Sequence, residues 1–435
     1  MKKRLEIKRL GINGEGIGYL NRKVVFVKGA LIGEEVEVDV KSFNRQFLTG
    51  QLLKIIRPSK SRRQISCRAN KECLGCSLLH MDYPTQLQYK KNIVRESIRK
   101  YTQIDLDQVV FKDIIPNTIK QGFIQDVNLP IVDFKGKVTF GIYQRETKYL
   151  TVMTHCFKQH PLINRTLEDL EVIFNEEKCK TYHEKFKTGL RFIKLKVIND
   201  QVQIVIITGK DGLKKSVSER ITKLKQVCSL YLSINTTRHQ DFDEAGYTKL
   251  YGLSKLEFYH QDQKYLVSVK SPLPHHFDAY FRRNEAIKSM LKESEKILSV
   301  YSGLGVLELE LDQEVIGFDD QRSLVDDANL NAKYLKKDQV RFIYGNVEER
   351  IIPYAKKKIY DTFIIQNERN GISEQLKDTL RLSKVENVIY VSQNHSTMAK
   401  DLNDLQKYFK VERIVGIDEF VYQPSVTTVV KLKRK

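Results

Sequence analysis

The sequence predicts an α/β chain in three parts, and three observations carry that reading. Residues 1–58 alternate short β-like runs with glycine turns, as a small barrel does. Residues 59–290 open on a cluster of cysteines and continue as mixed β structure. From 291 to the end, strand-length apolar runs alternate with helix-length segments, the pattern of a doubly wound sheet.

The barrel rests on Leu5-Glu-Ile-Lys-Arg-Leu, Lys23-Val-Val-Phe-Val-Lys28 and Glu35-Val-Glu-Val-Asp-Val40. The last alternates strictly, as a half-buried strand should. Gly14-x-Gly16-x-Gly18 has the spacing of a dinucleotide loop, but no helix follows it, which excludes that reading. Lys41, Arg45, Lys54, Arg57, Lys60, Arg62 and Arg63 are candidate phosphate contacts. Phe43 and Phe47 among them either stack on bases or fill the barrel core.

Cys67, Cys73 and Cys76 fall within ten residues, and Cys156 lies far downstream. Four thiolates suit an iron–sulfur cluster or a tetrahedral zinc, although only the Cys73/Cys76 pair has zinc-like spacing. Ordinary free thiols are the plain alternative. A disulfide framework fits poorly with a long, Lys-rich chain that shows no signal peptide, so a cytoplasmic setting is expected. A helix is expected over about 84–101, with Pro84 in its first turn and Leu87, Val94 and Ile98 on one face. Lys90, Lys91, Arg95 and Arg99 form its other, basic face.

In the central part, Lys137–Tyr143, Arg191–Val197 and Gln203–Ile207 read as strands. In the last part the strands are Ile297–Tyr301, Glu314–Phe318, Val340–Tyr344, Asp361–Ile365, Val388–Ser392, Arg413–Glu419 and Val426–Leu432, with helices near 321–335, 372–383 and 396–408. Only eight residues separate Gly305 from Glu314, short for a crossover.

The formal net charge is +20, of which +13 lies in residues 1–100, where 22 Lys and Arg face 9 Asp and Glu. Charge this concentrated beside the thiols points to a polyanion, and nucleic acid before a membrane surface. No apolar run approaches the ~20 residues a membrane-spanning helix needs.

Two resemblances follow from these motifs. Gly14-Glu-Gly16-Ile-Gly18, Val24-Val-Phe-Val27 and Gly33-Glu-Glu-Val36 resemble a TRAM domain, an OB-like barrel that binds RNA. Cys-x5-Cys-x2-Cys, then Leu78-x-His80-Met81-x-Tyr83 and the Gln86-Leu87-x-x-Lys90 helix, resemble the RNA 5-methyluridine methyltransferases. The likeness covers nearly the whole chain and implies a class I S-adenosylmethionine-dependent methyltransferase domain over 291–435. It also implies that Cys67, Cys73, Cys76 and Cys156 hold a 4Fe–4S cluster. The glycine turn Tyr301-Ser-Gly303-Leu-Gly305 and Asp319 would bind the methyl donor.

The chain departs from that family where its chemistry lies. The nucleophilic cysteine that attacks uracil carbon 6 aligns with Gln393, and the base glutamate aligns with Thr427. A carboxamide cannot attack, and threonine is no base near neutral pH. The Asp-Pro-Pro-Arg-x-Gly loop reads Gln366-Asn-Glu-Arg369-Asn-Gly371. The acid of the donor motif becomes Ser299, so donor binding is in doubt. Phe123-Ile-Gln-Asp126 replaces a Tyr-Arg-Asn-Lys stretch, and no Phe-Phe-Gln-x-Asn is recognisable in 275–281. The expected function is therefore a catalytically degenerate RNA-binding protein, with structured RNA (rRNA or tRNA), in the ribosome or free, as partner. Two alternatives stand beside it: an active methyltransferase with altered chemistry, and an iron–sulfur redox sensor that controls RNA binding.

Overall fold

The computed structural model describes residues 2–42, 47–65, 67, 69–73, 75–143, 150–153, 155–237, 246–367 and 369–435. At the N-terminus, strands Lys2–Glu6, Arg9–Leu10, Gly16–Leu20, Lys23–Val27, Glu35–Ser42 and Phe47–Arg57 form one sheet, ordered first, fifth, sixth, fourth, third, second. Alternation turns Leu5, Val25, Val27, Val36 and Val38 into its core. Lys41, Lys54, Arg57, Lys60 and Arg63 are exposed, as phosphate contacts should be. Arg62 departs from expectation. Its Nε donates to Glu34 Oε1 at 2.5 Å and its Nη2 to Oε2 at 2.7 Å. Glu34 is fully buried and needs that partner, so Arg62 closes the barrel instead of facing RNA. Phe47 is half-buried, edge-on to Phe26 with centroids 5.5 Å apart. Phe43 and Arg45 lie outside the described residues.

Helix Tyr83–Tyr101 is capped by Asp82, whose Oδ1 accepts from the Thr85 N–H at 2.8 Å. Its Val94 and Ile98 enter the core beneath the C-terminal sheet, while Tyr89 and Ile93 pack with Leu10, Leu31 and Leu78. The Tyr89 hydroxyl donates to Gly11 O at 2.7 Å, joining helix to barrel. The basic face is interrupted. Lys90 is fully buried and donates to Asp418 Oδ1 and, at 2.8 Å, to Phe420 O.

The central sheet has seven strands in the order Leu150–Val152, Lys137–Tyr143, Asp126–Phe134, Leu190–Ile198, Gln201–Thr208, Val227–Ile234, Thr248–Gly252. Helix Pro161–Glu176 covers it with Ile163, Leu167, Leu170 and Phe174.

The C-terminal sheet is ordered Val340–Tyr344, Glu314–Asp319, Lys296–Val300, Thr362–Ile365, Asn387–Ser392, Thr427–Arg434, Phe409–Ile417, Val110–Phe111. The first five are parallel, and Thr427–Arg434 runs antiparallel to both neighbours. The short crossover still yields a parallel pair, because a single turn of helix, Val306–Leu309, suffices. The sequence reading missed helices Phe277–Lys288 and Val347–Ala355; in the latter Pro353 reads as a breaker. Strand order reverses between Lys296–Val300 and Thr362–Ile365, which opens a crevice at their carboxyl ends. No helix among the described residues is long and apolar enough to cross a membrane.

Candidate active-site cavity and thiol cluster

A cavity of about 730 Å³ fills that crevice. Four of the five parallel strands deliver a side chain to it as the strand ends. Tyr301, Asp319, Gln366 and Gln393 all line the cavity, with Gly303 and Arg369. Asp319 is 4% exposed; its Oδ2 accepts from the Gly303 N–H and its Oδ1 from the Gln321 N–H, both at 2.9 Å. Burial pushes its carboxyl pKa up. Tyr301, Gly303 and Gly305 all have positive φ (58°, 60° and 71°). A Cβ at Gly303 would meet open space, whereas one at Gly305 would lie 2.4 Å from Phe342 Cζ. Of the expected donor residues, then, Tyr301, Gly303 and Asp319 face the cavity, and Gly305 lets the turn pack against Phe342 of strand Val340–Tyr344.

Ser299 has a carboxylate beside it. Ser299 Oγ donates to Glu308 Oε1 at 2.6 Å, and Gln366 Nε2 donates to the same oxygen at 2.9 Å. Glu308 is fully buried on the Val306–Leu309 turn, and burial pushes its pKa up to about 7. Thr427 also has a carboxylate beside it. Thr427 Oγ1 donates to Glu419 Oε2 at 2.6 Å. Glu419 is 3% exposed and lines the cavity; Thr427 stands behind it. Glu308 and Glu419 stand on segments that only folding brings beside Ser299 and Thr427. The sole signal in sequence was an acid inside an apolar run, as in Val306-Leu-Glu308-Leu309.

Gln393 follows strand Asn387–Ser392, and Arg369 Nε reaches its Oε1 at 3.5 Å. Among the described residues no thiol lines the cavity. Cys228 belongs to the central sheet, where its Sγ donates to Val202 O at 3.3 Å. His275 stacks on Phe420 with centroids 5.3 Å apart, and burial pushes its imidazole down to about 4, so it is neutral. Phe123 stacks on His276 at 4.4 Å, and Asp126 Oδ2 accepts from the Leu273 N–H at 3.0 Å, which makes that stretch cavity wall.

The loop carrying Glu419 is held from behind. Besides Lys90, Asp418 takes the Tyr83 hydroxyl at 2.7 Å, and Leu78 N–H donates to Tyr422 O at 3.0 Å. Leu78 leads back to the thiols. Cys76 is buried, and Cys67, Cys73 and Cys156 are half-buried. Burial pushes Cys76 up to about 11, with Cys156, Cys73 and Cys67 adding to the rise, so all four thiols share one neighbourhood. Asn164 holds Cys156 by two hydrogen bonds to its backbone, of 3.0 and 3.1 Å.

A doubly wound sheet of this order, with a glycine turn and an acid at its first two strand ends, is a class I methyltransferase fold, here carried with an N-terminal barrel. Residues 2–53 match the TRAM domain family, and residues 286–435 match the tRNA (Uracil-5-)-methyltransferase family. An uncharacterised RNA methyltransferase of Halalkalibacterium halodurans is 31% identical over 97% of this chain and 94% of its own. One of Streptococcus agalactiae is 27% identical over 99% and 98%. The crystal structure of Pyrococcus abyssi tRNA (uracil-54, C5)-methyltransferase with S-adenosyl-L-homocysteine superposes with a TM-score of 0.78 at 23% identity, covering 99% of this chain and 100% of that one. The chain belongs to the TRAM-containing RNA uracil methyltransferase family.

Proposed function

We propose that this protein binds structured RNA, tRNA or rRNA, and does not perform uracil-C5 methyl transfer through a covalent adduct. The observation that carries the reading is Gln393 on the cavity wall, with no thiol among the described lining residues. Carbon 5 of uracil is a weak nucleophile until a thiolate adds to carbon 6, and a carboxamide cannot make that addition. The exposed barrel cations would track the phosphate backbone.

The cavity suits an adenosyl donor. Asp319 can accept hydrogen bonds from ribose hydroxyls, and the open Gly303 backbone lets a ligand approach closely. S-adenosylmethionine would supply an electrophilic methyl group there. Cys67, Cys73, Cys76 and Cys156 would hold a 4Fe–4S cluster that braces the segment between barrel and cavity. Glu308 and Glu419 favour a second reading, methyl transfer to a heteroatom of RNA, which needs no adduct. A buried carboxylate is costly, and such groups concentrate at working sites.

RNA binding is checked by titrating unmodified tRNA and rRNA transcripts at several salt concentrations. Raising salt from 50 to 200 mM should weaken binding on the order of 100-fold for five phosphate contacts. Replacing Lys54, Arg57 and Lys60 by Glu should flatten the salt slope. Salt-independent binding, or none, contradicts the proposal.

A further inference from the structure

The geometry points to Glu419 as the group that accepts the proton from an N–H of an RNA base while that nitrogen takes the methyl group. This rests on the second reading above, heteroatom methylation. Four observations place Glu419 for the task. It lines the same cavity as the Gly303 turn and Asp319, so a carboxylate and a donor site share one chamber. It is 3% exposed, shielded from bulk water. Thr427 Oγ1 at 2.6 Å fixes the orientation of its carboxylate. Its loop is anchored on both flanks, by Lys90 and Tyr83 at Asp418 and by Lys90 at Phe420 O. The ring of Phe420, stacked on neutral His275, gives a base a flat apolar partner beside that carboxylate.

The chemistry matches what the cavity holds and what it lacks. A nitrogen has its own lone pair, so no thiolate is required. That lone pair forms the new N–CH3 bond. The sulfonium S–CH3 bond breaks, its electron pair going to sulfur to give a neutral thioether. The N–H proton passes to Glu419 and from there to water. Lys270, exposed and also on the cavity lining, is placed to meet a phosphate flanking the base.

The test uses the full-length protein purified anaerobically, unmodified tRNA and rRNA transcripts, and S-adenosylmethionine with an isotopic methyl group. RNA is digested and its nucleosides are read by mass spectrometry. The wild type should yield an N-methylated nucleoside. Glu419→Gln should lower kcat at least ~100-fold, with affinities for RNA and S-adenosylhomocysteine within about twofold and an unchanged Tm. Glu419→Asp should restore part of kcat. The inference is overturned by a wild type that binds RNA but methylates nothing, which leaves RNA binding intact. It is also overturned by a Glu419→Gln protein as fast as wild type. A 5-methyluridine product overturns it together with the proposed function.

Discussion

Lys90→Met should destabilise the protein by about 3–5 kcal/mol, the cost of breaking a buried ion pair from one side. Lys90 and Asp418 are both fully buried. Removing the ammonium leaves the Asp418 carboxylate with the Tyr83 hydroxyl at 2.7 Å and no cation, and frees Phe420 O. The loss should appear in urea denaturation as a lower midpoint with an unchanged slope. Lys90→Met combined with Asp418→Asn should recover much of it, because the unpaired charge is then gone. A single mutant as stable as wild type would show that the pair does not anchor the loop.

Glu308→Gln should gain stability over wild type as pH rises. The Glu308 pKa is raised from 4.5 to about 7, mainly by burial. Between those values the folded chain keeps a proton that the unfolded chain releases, so wild-type stability falls as pH climbs through this window. The penalty is absent below pH 4.5 and complete above pH 7, where a shift of this size is worth roughly 3 kcal/mol. The groups facing the carboxyl are the Ser299 hydroxyl, the Gln366 amide, the Arg283 guanidinium and the Tyr280 phenol. Burial pushes the Tyr280 phenol up, so it stays neutral. Histidines 80, 275 and 395, each pushed down to about 4 by burial, add the same slope to both proteins and cancel in the difference. Parallel stability curves from pH 5 to pH 8 would contradict the buried-carboxylate assignment.

These two residues also show where sequence reasoning stops. Alternation places a strand over Glu35–Val40, which the fold extends to Ser42, and apolar runs bounded by polar residues place Val340–Tyr344 to the residue, because side-chain periodicity is local. Val110–Phe111 has no such signal; two residues cannot show a period, and their partner strand lies some 300 residues on. Lys90 falls on the polar side of a helical projection, and its counter-charge is 328 residues distant. The cavity was partly visible: Tyr301, Gly303, Asp319 and Gln393 do converge. Glu308 and Glu419 were not, since each stands on a segment that only folding brings beside Ser299 or Thr427.

RNA in which uridine is replaced by 5-fluorouridine tests the covalent step most directly. Fluorine at carbon 5 cannot leave as a proton, so an enzyme that adds to carbon 6 and methylates carbon 5 becomes trapped as a complex that survives denaturing gels. With S-adenosylmethionine present, this protein should bind such RNA and form no denaturation-stable complex. A trapped adduct, mapped to any residue of the chain, would contradict the assignment of Gln393 as the end of the uracil-C5 route.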